Sequence, residues 1–162
     1  MRHIQKFSLR WSDMDSYGHV NSVQVVRLYE EARVSLLFRV ARSAGVTSFE
    51  EGLITARHEI DYYRPLQYLL NPDHPGSFPT VRIESWIENI KAAQFTFMCE
   101  MYKDWDLTGR ARSLCVPYIV STNSLRRLTP AERSFLQSYV HHPDPPRTEE
   151  ESCYSKRIHT SN

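Results

Sequence analysis

Apolar positions along the chain change period twice, and those changes mark out the elements. From Ile4 to Trp11 the pattern alternates. Ile4, Lys6, Ser8 and Arg10 fall on one side, Phe7, Leu9 and Trp11 on the other, as in a strand. Between Asn21 and Ala41 the spacing turns helical. Val25, Val26, Tyr29, Ala32, Leu36, Leu37 and Val40 recur one, three and four residues apart and predict one broad apolar face, with Ala44-Gly45 as its stop. From Leu53 to Ser121 the period returns to two. Ile54, Ala56, Ile60 and Tyr62 share a face of one strand. Val81–Ile87 and Ala93–Tyr102 predict a hairpin that turns near Asn89-Ile90-Lys91. Asp104–Gly109 reads as a further turn and Ala111–Val120 as the last strand.

Turn and cap residues divide these segments. Asn71–Pro79, N-P-D-H-P-G-S-F-P, must be a loop. Leu128–Glu132 is a helix start, with Thr129 as cap, Pro130 in the first position and Glu132 closing a capping box; the helix is expected to run to about Tyr139. From His141 onward Pro, Glu, Ser and Lys dominate. That composition predicts a folded domain over 1–140 and a polar, mobile tail over 141–162. One long helix on one face of an antiparallel sheet is an α+β domain. Its other sheet face carries Arg57, Glu59, Arg82, Glu84 and Arg112 and can meet water.

The 162 residues suit a single domain with a proper core. A net charge of +1 argues against nucleic-acid binding driven by bulk charge, and the apolar runs are too short for a membrane span. The start, M-R-H-I-Q-K-F-S-L-R, lacks the apolar core of a secretion signal. Cys99, Cys115 and Cys153 are an odd count without C-x-x-C spacing, which reads as reduced thiols in a cytoplasmic setting and not as a metal site.

The chemistry concentrates in Leu9–Arg33: a strand end, a polar turn with two carboxylates, then a helix start. Asp13 and Asp15 are two apart and lean to one side of an extended segment. A neighbouring like charge and partial burial make a carboxylate a better base near neutral pH. Both residues also suit capping of local N–H groups. Gly18 through Ser22 should present the helix N-terminus, where unpaired N–H groups and about half a positive charge could polarise a carbonyl. The amides around Val20 and Asn21 are the expected oxyanion donors. The His19 and Asn21 side chains could touch substrate, or bond the turn and cap the helix. Ser12, Ser16 and Ser22 lack a G-x-S-x-G elbow, so a Ser-His-Asp arrangement finds no support.

D-M-D-S-Y-G-H-V-N followed by L-Y-E-E-A-R resembles the D-x-D-x-x-G-H-V-N-N and Y-x-E-x-A-R signature of the hotdog-fold acyl-CoA thioesterases, in their 4-hydroxybenzoyl-CoA thioesterase-like group. H-E-I-D-Y-Y-R-P-L is similar to that family's second strand and following turn. The resemblance spans roughly Phe7 to Tyr139. It implies a five-stranded antiparallel sheet wrapped around the long helix, with a short C-terminal helix. It also implies edge-to-edge homodimers with active sites at the interface, often paired into tetramers.

The implied reaction is hydrolysis of a coenzyme A thioester to a free acid, with no metal or redox cofactor. Asp15 matches the carboxylate that acts as base or nucleophile, and Gly18, His19, Val20, Asn21 and Ser22 fall where the oxyanion and substrate bind. Glu31 is the competing carboxylate, because other hotdog thioesterases carry theirs on this helix. Ion pairs also account for Glu31 with Arg27 and Glu30 with Arg33. Arg57, Arg64 and Lys91 are candidates for the coenzyme A phosphates by position.

The chain departs from the family in two places. Ile90-Lys91-Ala92-Ala93-Gln94 replaces a common I-G-x-x-S hairpin, and Ser22 and Val25 replace a frequent Asn and Tyr. These departures keep a second reading open: a hotdog protein that binds acyl-CoA or an acyl carrier without turnover. A hotdog dehydratase is the weaker third, since neither its His with a partner carboxylate nor a Y-x-x-x-G-D-x-N-x-H-like motif is present.

Overall fold

The computed structural model describes residues 1–70 and 78–141. Most of the Asn71–Pro79 loop, the tail beyond His141 and Cys153 therefore lie outside the described residues. Strand β1 is His3–Ser8, and helix α1 is Ser22–Val34. The sheet continues with β2 (Leu53–Tyr62), β3 (Thr80–Ile90), β4 (Phe95–Lys103) and β5 (Asp106–Ile119). The strands run antiparallel in the order β1-β3-β4-β5-β2, and the two-residue β6, Ser124–Leu125, pairs with β5 off that path. Thus the fold is the expected five-strand antiparallel sheet around a long helix, closed by a short C-terminal helix.

The inner face follows from alternation. Val81, Ile83 and Ile87 of β3 and Phe95, Phe97, Cys99 and Met101 of β4 are buried, together with Val25, Leu28, Tyr29, Ala32, Leu36 and Leu37 from the helical segment. Cys99 and Cys115 are free and buried in this layer. The outer face is a ladder of charge. Arg2 bonds Glu84 at 2.8 Å and Glu100 at 2.6 Å, Arg110 bonds Glu100 at 2.7 Å, and Arg112 reaches Glu88 at 2.9 Å and Glu59 at 3.4 Å. Arg82 pairs with Glu84 and Arg57 with Glu59. Cross-strand pairs of opposite charge are what a solvated sheet face supports.

Four local expectations are corrected. Strand β1 stops at Ser8 and the chain turns through a 3-10 stretch, Trp11–Asp13, which leaves Trp11 74% exposed instead of on the core face. In the helix, Leu28 and Ala41 join the buried set, Val40 packs half-buried against the core as expected, and Val26 stays outside the core cluster. Beyond Val34 the helix passes through a π-helical stretch, Ser35–Val40, before its last turn α2, Ala41–Ser43. The Ala41 N–H bonds Leu36 O, five residues back, so the apolar stripe advances by one position.

In β2 a bulge between Thr55 and Arg57 reverses which side faces inward. Leu53 and Ile60 both pack on the core despite an odd separation, and Ile54 and Tyr62 remain largely exposed. Finally, β5 begins at Asp106 and so absorbs the expected Asp104–Gly109 turn, which tightens to a hairpin around Asp104.

The C-terminal helix α3, Pro130–Ser138, starts as its sequence predicts. Thr129 Oγ1 accepts from the Glu132 N–H at 3.1 Å and Glu132 accepts from the Thr129 N–H at 2.7 Å. Glu132 is fully buried and also receives both Arg126 terminal nitrogens, at 2.8 and 2.7 Å. Past the helix, His141 bonds Ile87 O at 3.0 Å and meets the Trp86 ring edge-on.

Burial pushes the Glu132 carboxyl up, but Arg126 and the Thr129 amide outweigh it and hold the carboxyl below its ordinary 4.5. The stability from such a depressed group is complete above 4.5 and is lost as pH falls through the folded-state value. Glu132→Gln should therefore cost about 3 kcal/mol at pH 7 by removing one partner of a buried pair. Denaturant titrations across a pH series should show that difference shrinking below pH 4.5.

Candidate active site

The turn between β1 and α1 is a closed loop built by backbone pairing. Met14 bridges Val20, and Asp15 N–H donates to His19 O at 2.7 Å while Gly18 N–H donates to Asp15 O at 3.2 Å. Gly18 takes φ +76°, a conformation that side chains with a Cβ rarely adopt, and it closes the turn. Two bonds to residues farther along the chain fix the loop to the fold: Val20 N–H to Leu66 O at 2.6 Å and Asn21 N–H to Asp13 O at 2.8 Å.

The two carboxylates face different donors. Asp13, only 4% exposed, accepts from the Arg10 N–H at 2.7 Å and holds the 3-10 turn. Asp15 Oδ1 accepts from the Tyr17 N–H at 2.8 Å and the His19 N–H at 3.1 Å. Asp15 Oδ2 has no partner among the described residues. Oriented by one oxygen and open at the other, Asp15 lines a cleft of about 390 Å³. His19, Val20, Asn21 and Ser22 from the loop and helix start share that cleft with Arg64, Pro65 and Leu66.

The amide donors differ from expectation. The Val20 and Asn21 N–H groups are committed to Leu66 and Asp13, and those of Gly18 and His19 to Asp15. Asn21 caps the helix, its Oδ1 accepting from the Val23 N–H at 2.9 Å. The Ser22 N–H, at the first helical position, is the donor of this set left without a partner among the described residues. Its place in the first turn leaves it no intrahelical acceptor.

Other candidates lie apart from this cleft or at its edge. Arg64 lines it while pairing with Asp106 at 3.4 Å, and it is 61% exposed. Arg57 and Lys91 line a separate depression of about 190 Å³ with Glu59 and Arg112. Glu31 pairs with Arg27 at 3.5 Å and Glu30 with Arg33 at 3.0 Å. Glu31 lines a third cleft, of about 570 Å³, with Lys6, Arg10 and Trp11. The structure therefore does not bring Glu31, Arg57 or Lys91 to Asp15.

Sequence reasoning missed the far side of the cleft. Tyr62 at the end of β2, Met101 of β4 and Thr108 and Gly109 of β5 line it together with Val25 and Tyr29 of α1. Gly109 reads as part of a turn in the sequence, so it gave no signal; within β5 it allows the close approach of the Tyr29 hydroxyl. The strand pairing shifts at this point, between Met101 and Tyr102. Val25 sits on the cleft wall.

Comparison with known proteins agrees with this architecture. Residues 9–139 match the family model described as the thioesterase-like superfamily, and the chain belongs to that superfamily. No curated protein matches it in sequence. Among solved structures it is similar to a predicted thioesterase from Bacillus stearothermophilus (TM-score 0.72, 20% identity, covering 89% of this chain and 100% of that one). It is also similar to a 1,4-dihydroxy-2-naphthoyl-CoA thioesterase from Synechocystis (TM-score 0.68, 16% identity, 88% and 100%). A third is a hypothetical protein from Staphylococcus aureus in complex with CoA (TM-score 0.72, 10% identity, 93% and 91%). At these identities the likeness is one of fold. No helix among the described residues is long and apolar enough to cross a membrane.

Asp13→Ala should remove the carboxylate partner of the part-buried Arg10 amide and cost about 1 kcal/mol. The measurement is the denaturant midpoint of the variant against the parent. An unchanged midpoint would show that Asp13 does not hold the turn.

Proposed function

We propose that the protein hydrolyses an acyl thioester of coenzyme A to the free acid and the thiol, with Asp15 as the catalytic carboxylate. The supporting observation is the division of labour on Asp15: two loop amides grip Oδ1, while Oδ2 has no partner among the described residues, and Asp15 lines one cleft together with Ser22, whose amide is also unpaired among the described residues. Oδ2 either takes a proton from water as the water attacks the thioester carbon, or attacks that carbon itself. In both routes the carbonyl oxygen gains negative charge, the C–S bond then breaks, and the thiolate leaves and is protonated; in the second route water then hydrolyses the acyl-Asp15 anhydride, releasing the free acid and restoring the carboxylate. One amide donor such as Ser22 N–H is worth on the order of 3 kcal/mol of barrier when aimed at that oxygen.

Arg64, at the cleft and largely exposed, is suited to a coenzyme A phosphate. The coenzyme A complex of the Staphylococcus aureus neighbour and the naphthoyl-CoA activity of the Synechocystis one favour this carrier. In this reading two copies of the chain join along β2. That strand pairs with β5 on one side only, and a ten-residue open edge is a ready template for pairing.

Asp15→Asn is the decisive variant. An Asn Oδ1 still accepts from the Tyr17 and His19 amides, so the fold should persist with an unchanged melting temperature. The kcat/KM for thiol release across short, medium, long and aromatic acyl-CoAs should fall about 10²- to 10⁴-fold. Full activity in the variant would sink the assignment. Stabilisation by acyl-CoA without thiol release from the parent protein would mark a binding protein instead.

A further inference from the structure

Two clefts adjoin on the β1 side of the fold, apart from the Asp15 cleft, and Lys6 forms part of the wall of both. The larger, of about 570 Å³, lies between the end of β1 and α1 and carries Arg10, Trp11 and Phe78. The smaller, of about 300 Å³, carries Arg82 and Trp105. Trp11 is 74%, Phe78 63% and Trp105 92% exposed. Single exposed apolar residues are ordinary on a protein surface, but three large rings around adjoining clefts form a patch.

The three rings come from separate turns at one end of the sheet. Trp11 follows β1, whose last residue, Ser8, pairs with Thr80 at the start of β3, and Phe78 comes just before that start. Trp105 stands in the β4–β5 turn, between the paired residues Lys103 and Asp106. The Asp15 cleft lies at the same end, where Tyr62 of β2 faces Gly109 of β5.

Charge on the patch is one-sided. Its two acids are already held, Glu31 by Arg27 at 3.5 Å and Asp104 by Lys103 at 3.6 Å. Lys6 and Arg10 have no ionic partner among the described residues. Lys6 also stands directly opposite Arg82 in the β1–β3 ladder, a like-charge pairing that costs stability. A lysine at the centre of the patch argues against a protein partner, since protein interfaces are depleted of lysine. Indoles beside unpaired lysine and arginine are instead the composition that lies at a membrane–water interface and is drawn to anionic lipid.

We propose that this end of the protein docks on the surface of a phospholipid bilayer that carries anionic headgroups. Trp11, Phe78 and Trp105 enter the interfacial layer, and Lys6 and Arg10 face the headgroups. The chain lies on the membrane without spanning it. Docking brings the Asp15 cleft near the lipid surface, where long-chain acyl thioesters gather because they are amphiphiles. The proposal goes beyond thioester hydrolysis and does not depend on it.

The tryptophans make the test direct. Trp86 is fully buried, so Trp11 and Trp105 are the two of the three that can report contact with lipid. Vesicles of phosphatidylcholine with phosphatidylglycerol should pellet the full chain and shift its tryptophan emission to the blue, and brominated lipid should quench it. Lys6→Gln combined with Arg10→Gln should lower that partition about fivefold or more, and added salt should weaken it in the parent. Trp11→Ala combined with Trp105→Ala should abolish pelleting. All four side chains are exposed, so melting temperatures should match the parent.

No pelleting of the parent, or pelleting that survives loss of both indoles, would overturn the proposal. Equal partition onto pure phosphatidylcholine vesicles would overturn it as well. A blue shift that grows with protein concentration in the absence of vesicles, and is lost without the indoles, would put a second copy of the chain on the patch and refute lipid docking.

Discussion

Two backbone hydrogen bonds hold the start of α1: Val20 N–H to Leu66 O and Asn21 N–H to Asp13 O. The first ties the loop to the segment after β2, and the second ties the helix cap to the turn after β1. Neither can move without exposing a backbone group that the helix cannot satisfy internally. They settle where Asp15 and the Ser22 amide stand relative to the sheet. The same bonds consume the amides nearest the cleft, so the donors left for a ligand are fewer than a bare helix start would offer.

Beneath that anchor lies the burial of the helix's apolar stripe. A single sheet must cover Val25, Leu28, Tyr29, Ala32, Leu36 and Leu37, and the continuous ladder from β1 through β2 does so. The π-helical stretch keeps the stripe facing the sheet to its end at Ala41. On the opposite sheet face charge pairs dominate, and Arg2 and His141 cover the buried Trp86. Hydrophobic burial thus gives the helix its position, and hydrogen bonding gives its first turn an orientation.

Legibility in the sequence followed the range of the interaction. Capping at Thr129 and Glu132, the N-cap at Asn21 and the pairs of Glu30 with Arg33 and Glu31 with Arg27 depend on residues within four positions, and all are present. Alternation identified the β3–β4 hairpin and put Arg82 and Glu84 on the charged sheet face. It failed in β2, where the bulge near Ala56 adds a residue and exchanges the faces, and at Trp11, where the chain has already left the strand. Both failures come from backbone geometry that hydrophobic periodicity does not encode.

The functional cleft divides along the same line. The chain's own order of residues determined the loop that grips Asp15, because the Tyr17 and His19 amides lie two and four positions away and Gly18 permits the turn. It also determined the helix cap and the alternation that turns Phe95, Phe97, Cys99 and Met101 inward. Only the tertiary structure decided which amides remain free, since their acceptors at Asp13 and Leu66 come from other segments. Only the tertiary structure placed Tyr62, Thr108 and Gly109 opposite Val25 and Tyr29, and parted Glu31, Arg57 and Lys91 from Asp15. Those relations join residues distant along the chain, and strand order and register create them where no local pattern can.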